Sequence, residues 1–96
     1  MKILTIVGIR KSGKTSTTEA LLKEIARRGL KAGTCKTIFC PSFSIDKPDS
    51  NTARHLRAGS MTVCARARHE TAFIHGDALP LSEIAARFAG MDYLIL

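Results

Sequence analysis

Apolar residues recur along the 96-residue chain in spacings that predict short strands and helices in alternation. Residues 3–7 are nearly all apolar, which is typical of a strand with both faces buried in a parallel sheet. Lys14–Arg28 carries its apolar residues on one helical face, so we predict a helix there that stops at Gly29. Leu30–Phe39 has the pattern of a second strand. Because a crossover helix connects it to the first strand, we predict that the two strands are parallel.

The middle of the chain predicts a loop, a short helix and two further strands. Cys40–Asn51 is rich in Pro, Ser and Asp and predicts the loop, and the helix follows it as far as Ala58. Strand patterns occur at Met61–Ala65 and Thr71–His75. Only residues 66–70 separate them, which is too short for a parallel crossover. We therefore predict an antiparallel pair, or strands that are not neighbours.

The last part of the chain predicts a helix after Pro80 and a buried strand at Met91–Leu96. This order of elements predicts one α/β domain over residues 1–96, with three α/β/α layers and a mostly parallel, mixed sheet. A domain of this kind rarely stops inside a strand, so we expect it to be incomplete at its C-terminus. The uncovered edge at Tyr93–Leu96 then favours self-association, for example as a homodimer.

A glycine-bounded stretch joins the first strand to the first helix. Gly8–Thr15 reads GIRKSGKT and fits the pattern G-x-x-x-x-G-K-[ST] of a phosphate-binding loop, which makes the predicted fold P-loop NTPase-like. Its glycines let main-chain N–H groups curl around a phosphate at the N-terminus of a helix. Lys14 can reach the β- and γ-phosphates, and the Thr15 hydroxyl can bind Mg²⁺. We assign nucleotide binding to these residues: Gly8, Arg10, Lys11, Ser12, Gly13, Lys14, Thr15 and Ser16.

Composition narrows the possible partners. A net charge of +7 favours anionic ligands or an acidic partner, whereas 5% aromatic residues offer few platforms on which nucleic-acid bases could stack. No apolar run is long enough to span a membrane and no signal peptide is evident, so we expect a cytoplasmic protein. The cysteines have neither disulfide-framework nor standard zinc spacing, and we expect free thiols at Cys35, Cys40 and Cys64.

A second motif lies in the predicted loop and short helix. Residues 45–59 read IDKPDSNTARHLRAG. Together with the phosphate loop, this stretch resembles the molybdopterin-guanine dinucleotide biosynthesis protein B family (MobB), which has a D-x-P-G-K-D-[ST] loop followed by R-H-R-x-A-G. The resemblance runs from Met1 to Tyr93. In this chain Asp49-Ser50-Asn51 replaces the Gly-Lys-Asp run, and Thr37 stands where the family often has a histidine.

The resemblance implies a GTP-binding protein with weak GTPase activity, and the phosphate loop predicts Mg²⁺ as the cofactor that accompanies GTP. It further implies a role in attaching GMP to molybdopterin, as an accessory to the nucleotidyltransferase that performs the transfer. Two functions of other classes stay open. One is a small-molecule kinase, whose lid arginines would be sought among Arg54, Arg57, Arg66 and Arg68. The other is a nucleotide-dependent interaction module without catalysis.

Three residues of the second motif are candidates for a chemical role, and each also has a purely structural interpretation. Asp46 is either a second Mg²⁺ ligand beside Thr15, because it offers a hard oxygen, or a turn residue before Lys47. Arg54 either contacts a phosphate or pterin anion or is a surface arginine. His55 is a candidate for a chemical role, although a helix-capping or surface role is favoured. We assign no catalytic residue, and no role to His69 or His75.

Overall fold

A computed structural model describes residues 1–8 and 13–96. The chain folds into two compact units, one formed by Met1–Ile38 with Pro80–Leu96 and the other by Phe39–Leu79. Among the described residues, no helix has the length and apolar character needed to cross a membrane. The elements in chain order are β1 (Lys2–Leu4), α1 (Lys14–Arg27), β2 (Ala32–Thr34), α2 (Asn51–Arg57), β3 (Thr62–Arg66), β4 (Thr71–His75), α3 (Leu81–Ala86) and β5 (Tyr93–Ile95).

The first unit contains a parallel sheet with the strand order β1-β5-β2. Leu94 of β5 pairs with Ile3 on one side and with Gly33 on the other. The hydrogen bonds continue past the strand ends, since Ile6 N donates to Leu96 O at 3.1 Å. The first two strands are parallel, as predicted, but β5 lies between them. A strand from the end of the chain therefore forms the centre of the sheet.

Burial in this sheet is concentrated on β5. Its consecutive residues Leu94 and Ile95 point to opposite faces and are 0% and 2% exposed, and Ile25 of α1 is also buried. By contrast, Ile3 is 51% exposed and Val7 85% exposed. The prediction that both faces of the first strand are buried was therefore wrong for β1, because β1 lies at an edge of the described sheet. It holds for the central strand, β5.

The position of β5 also overturns the expected mode of self-association. We expected Tyr93–Leu96 to present an uncovered edge to a second copy of the chain. In the structure β5 is paired with β1 along one side and with β2 along the other, so its main-chain groups are already used within the unit. A homodimer stays a prediction, and it would have to form through another surface.

The helix α1 ends as its sequence predicts. Gly29 has φ 75°, in the left-handed region that suits a glycine after a helix. Near this end, the Glu24 carboxylate accepts hydrogen bonds from Arg27 Nε at 2.8 Å and Arg28 Nε at 2.9 Å. These two guanidinium groups, Arg27 first, lower the pKa of Glu24 to about 2. The charged residues at the end of α1 thus bind one another on an exposed face, and we assign them no chemistry.

Asp92 stabilises the amino end of the sheet. Its Oδ2 accepts a hydrogen bond from Lys31 N at 2.7 Å, just before β2, and its main-chain oxygen accepts one from Lys2 N at 2.9 Å, in β1. Asp92 therefore ties β5 to both neighbouring strands at the edge opposite the phosphate loop. Its carboxylate is thus at the end of the sheet away from the edge at which open α/β sheets bind ligands.

The second unit consists of α2 and the antiparallel hairpin of β3 and β4, which is the first of the two arrangements that the sequence left open. The register places Val63 opposite Ile74 and Cys64 opposite Phe73. Val63 is buried whereas Phe73 is 67% exposed, so the hairpin has one covered face and one open face. The helix ends before Gly59, which has φ 119°. This unit carries the second motif of the sequence analysis.

Candidate functional site

The described part of the phosphate loop has the predicted setting. Gly8 follows β1, Gly13 adopts a left-handed conformation with φ 89°, and α1 begins at Lys14. Lys14, Thr15 and Ser16 occupy the exposed first turn of α1. The remaining assigned residues lie outside the described part of the chain; these are Arg10, Lys11 and Ser12.

The loop leaves the sheet at the edge where open α/β sheets bind ligands. The three parallel strands end in register, with Leu4 beside Ile95 and Ile95 beside Thr34. The segment from Gly8 to Gly13 connects this edge to the N-terminus of α1. The order of strand, glycine-bounded loop and helix N-terminus that the motif requires is therefore present.

The N-terminus of α1 suits an anion. Gly13 is the N-cap residue and supplies no side-chain acceptor to the first-turn N–H groups, and no acidic residue lies in the first turn. The first N–H groups of a helix lack partners within the helix and carry a partial positive charge. Because Lys14 adds a full charge at the same place, the start of α1 combines a formal positive charge with N–H groups suited to a phosphate.

In the second unit, the Asp46 carboxylate is held by donors on both oxygens. Lys47 N donates to Oδ1 at 2.9 Å, and the Thr52 hydroxyl donates to Oδ2. The pKa of Asp46 is lowered, first by the Thr52 hydroxyl and then by Ser50 and the Lys47 N–H. Asp46 is therefore ionised at neutral pH, and each oxygen keeps a second lone pair for another partner.

Two further contacts connect the Asp46 loop to α2. Ser50 caps the helix, because its Oγ accepts a hydrogen bond from Ala53 N at 3.1 Å. At the other end of α2, Arg57 Nη1 donates to Pro48 O at 2.7 Å. The bond from Lys47 N is a contact with the next residue of the same loop, whereas the bond from Thr52 brings the carboxylate to the first turn of α2.

The donor chemistry of Asp46 and Thr15 suits Mg²⁺. Among the residues that the structure describes, no three His, Cys, Asp or Glu side chains come together as a metal site. Mg²⁺ is usually held by one or two carboxylates together with substrate phosphates and water, so it does not need such a cluster. The half-buried carboxylate of Asp46, in the second unit, and the exposed hydroxyl of Thr15, in the first, are each an oxygen ligand of the required kind.

One face of α2 forms an open depression of about 420 Å³. Its lining residues follow helical spacing: Asn51, Arg54, His55 and Ala58. Arg54 and His55 thus share a face, as an anion site would require. Arg57 does not belong to this lining, and its guanidinium is bound to Pro48 O. Sequence reasoning missed this role of Arg57, because a main-chain acceptor leaves no signal in residue type or spacing.

The cysteines are free, as predicted. The exposed Cys40 has its Sγ 3.3 Å from Ser42 Oγ, and this hydroxyl together with nearby N–H groups lowers the pKa of the thiol. His75 Nδ1 lies 3.1 Å from Thr62 Oγ1, across the strand pair. These contacts are local, and none of them brings a cysteine and a histidine into a shared site within the described ranges.

Comparison with protein families gives a match over nearly the whole chain. The family described as "Molybdopterin guanine dinucleotide synthesis protein B" (MobB) matches residues 3–96. This agrees with the resemblance found in the sequence. A comparison with curated proteins found no match to the chain.

Solved structures of this family share the fold. A MobB protein homolog from Bacillus stearothermophilus aligns with TM-score 0.70 and 19% identity, over 99% of this chain and 54% of that one. Bacillus subtilis MobB aligns with TM-score 0.71 and 21% identity, over 99% and 56%. A structure of molybdopterin-guanine biosynthesis protein B aligns with TM-score 0.73 and 23% identity, over 97% of this chain and 57% of that one. The chain therefore spans little more than half the length of these relatives, and the predicted P-loop NTPase-like α/β fold is confirmed.

Proposed function

We propose that this chain, which belongs to the molybdopterin guanine dinucleotide synthesis protein B family, is a GTP-binding accessory protein in the formation of molybdopterin guanine dinucleotide. One observation carries the proposal. The family match includes a G-x-x-x-x-G-K-T segment that joins the carboxyl edge of a parallel sheet to the uncapped start of α1. That setting supports phosphate binding on physical grounds, and the family supplies the pathway.

The residues of the loop have distinct roles in this proposal. Main-chain N–H groups of Gly8–Thr15 would surround the phosphates, Lys14 would neutralise part of their charge, and Thr15 would supply a metal ligand. Asp46 would offer a carboxylate to Mg²⁺, directly or through water. Bound Mg²⁺ would neutralise the oxygens of the β- and γ-phosphates. We expect slow hydrolysis, because the cradle binds phosphate without itself orienting an attacking water.

The partners follow from the same function. We infer that the chain works with molybdopterin and with the nucleotidyltransferase that transfers GMP to it. The depression on α2 offers a guanidinium and an imidazole on one face, which suits a phosphate or pterin anion. The family resemblance, rather than any residue that reads guanine, supports GTP over ATP.

Calorimetric titration of the 96-residue chain with GTP and ATP, each with Mg²⁺, tests the proposal. We expect tighter binding of GTP and slow phosphate release from GTP alone. Equal affinity for ATP, with nucleotide consumed only when an acceptor is added, would instead support a small-molecule kinase. Binding of GTP without any turnover would support an interaction module.

Asp46→Asn tests the metal role. We expect it to reduce the gain in GTP affinity that Mg²⁺ provides by roughly tenfold, which is the effect typical of changes at or next to a metal's ligands. GTP affinity in EDTA should stay nearly the same, since the loop is untouched. Asp49→Asn is the matched control, because it removes a carboxylate from the same exposed loop. If Asp46→Asn keeps the full Mg²⁺ effect, Asp46 is a turn residue only.

A further inference from the structure

We propose that Thr52 is a positioning residue, whose hydroxyl fixes the orientation of the Asp46 carboxylate for the metal role proposed above. This inference rests on the proposed function, because it concerns how Asp46 would serve the metal. It assigns a role to a residue on α2 rather than on the phosphate loop. Thr52 is not expected to touch the metal or the nucleotide.

The geometry at Asp46 leaves its carboxylate little rotational freedom. One oxygen accepts from the adjacent main-chain N–H of Lys47, and the other accepts from the Thr52 hydroxyl in the first turn of α2. The Lys47 contact is local and moves with the loop. The Thr52 contact links the carboxylate to a helix, and a group held by a regular element is positioned more accurately than a group held by a loop.

Thr52 is itself held in place. Its Oγ1 lies 3.1 Å from Ser50 Oγ, which in turn accepts a hydrogen bond from Ala53 N. Because the Thr52 proton goes to the carboxylate, Ser50 donates to Thr52, and the hydroxyls form a directed chain that ends on Asp46. Arg57 fastens the same loop from the far end of α2 through Pro48 O.

Threonine suits this role better than serine. Its branched Cβ restricts χ1, so the hydroxyl is oriented before it meets its acceptor. Valine keeps that shape and removes only the hydroxyl, whereas serine keeps the hydroxyl and loses part of the restriction. The pair Thr52→Val and Thr52→Ser therefore separates the hydrogen bond from the packing of a half-buried side chain.

The experiment measures GTP affinity by calorimetry with Mg²⁺ and with EDTA, and Mn²⁺ binding to the GTP complex by electron paramagnetic resonance. Thr52→Val should lower the gain in GTP affinity that Mg²⁺ provides, and the Mn²⁺ affinity of the GTP complex, by roughly tenfold each, with GTP affinity in EDTA unchanged. Thr52→Ser should retain most of the Mg²⁺-dependent gain and most of the Mn²⁺ affinity. In the double variant Asp46→Asn with Thr52→Val, the loss should equal that of Asp46→Asn alone, because Thr52 acts only through Asp46.

Ala53→Gly is the control for a weakened helix. It lowers the helix propensity in the first turn of α2 but leaves both the Ser50 and the Thr52 hydroxyl in place, so the Mg²⁺-dependent gain in GTP affinity should stay within about twofold of wild type. An equal loss in Ala53→Gly and Thr52→Val would overturn the inference in favour of general disorder of the helix start. Thr52→Ala serves the same comparison if Thr52→Val does not fold, as judged by its thermal melt.

Failure of the inference is distinct from failure of the proposed function. A normal Mg²⁺ effect in Thr52→Val, together with a reduced one in Asp46→Asn, would overturn the role of Thr52 and leave GTP binding intact. A normal Mg²⁺ effect in both variants would overturn the metal role of Asp46, and the role of Thr52 with it. Absence of nucleotide binding in the wild type would overturn the proposed function itself.

Discussion

Lys14→Ala should weaken GTP binding by roughly 10- to 100-fold. The substitution removes a charge-assisted hydrogen bond to the β- and γ-phosphates, and bonds of that kind contribute about 1.5–3 kcal/mol. The main-chain N–H groups of the loop and the start of α1 are retained, so binding should be reduced rather than abolished. Calorimetry with GTP and GMP measures the effect, and GMP affinity should change little because GMP lacks both of those phosphates.

Lys23→Ala is the matched control for Lys14→Ala. It removes an exposed lysine from the same helix and lowers the net charge by the same amount, but it lies outside the phosphate loop. We expect it to bind GTP within about twofold of wild type, since exposed charges at a distance are largely screened. Equal losses in the two variants would mean that GTP responds only to the overall positive charge.

Leu94→Ala should lower the free energy of unfolding by about 2–5 kcal/mol, the range found for buried leucines whose loss leaves a cavity. Leu94 is 0% exposed and lies in β5, between β1 and β2, so the cavity opens in the middle of the sheet. Urea unfolding followed by circular dichroism measures the change. An effect of this size is a large fraction of the total stability of a small domain.

Ile3→Ala tests whether position in the sheet causes the effect of Leu94→Ala. Ile3 pairs directly with Leu94 but is 51% exposed at the edge strand. Because much of its side chain stays in contact with water, we expect a loss of roughly 1 kcal/mol or less. A loss as large as that of Leu94→Ala would show that β1, and not β5, carries the core of this unit.

The helices and turns were predictable to within a few residues. The amphipathic spacing of Lys14–Arg28 corresponds to α1, and Gly29 ends it with the positive φ that only a glycine adopts easily. The five-residue interval at 66–70 correctly excluded a parallel pairing of β3 and β4. These features depend on neighbours a few positions apart, so a single sequence contains the information. The position and context of the candidate phosphate loop were predictable for the same reason.

The strand order was not predictable in this way. An apolar run indicates that a strand is buried, but it does not indicate which strands lie beside it. The central place of β5 depends on pairing between residues near the two ends of the chain, such as Ile3 with Leu94. For that reason the burial that we expected for the first strand, β1, is found at β5. The edge that we expected to be free at Tyr93–Leu96 is paired on both sides.

By itself, then, the sequence determined the helices, the exclusion of a parallel pairing between β3 and β4, the phosphate-loop motif and its position between strand and helix. Only the tertiary structure decided the strand order, the bond from Lys31 N to Asp92 across 61 positions, and the attachment of Asp46 to Thr52 and of Pro48 to Arg57. The physical reason is one of range. Periodicity and turn chemistry act within a few residues, whereas a side chain finds a distant carboxylate or main-chain oxygen only after the elements have packed.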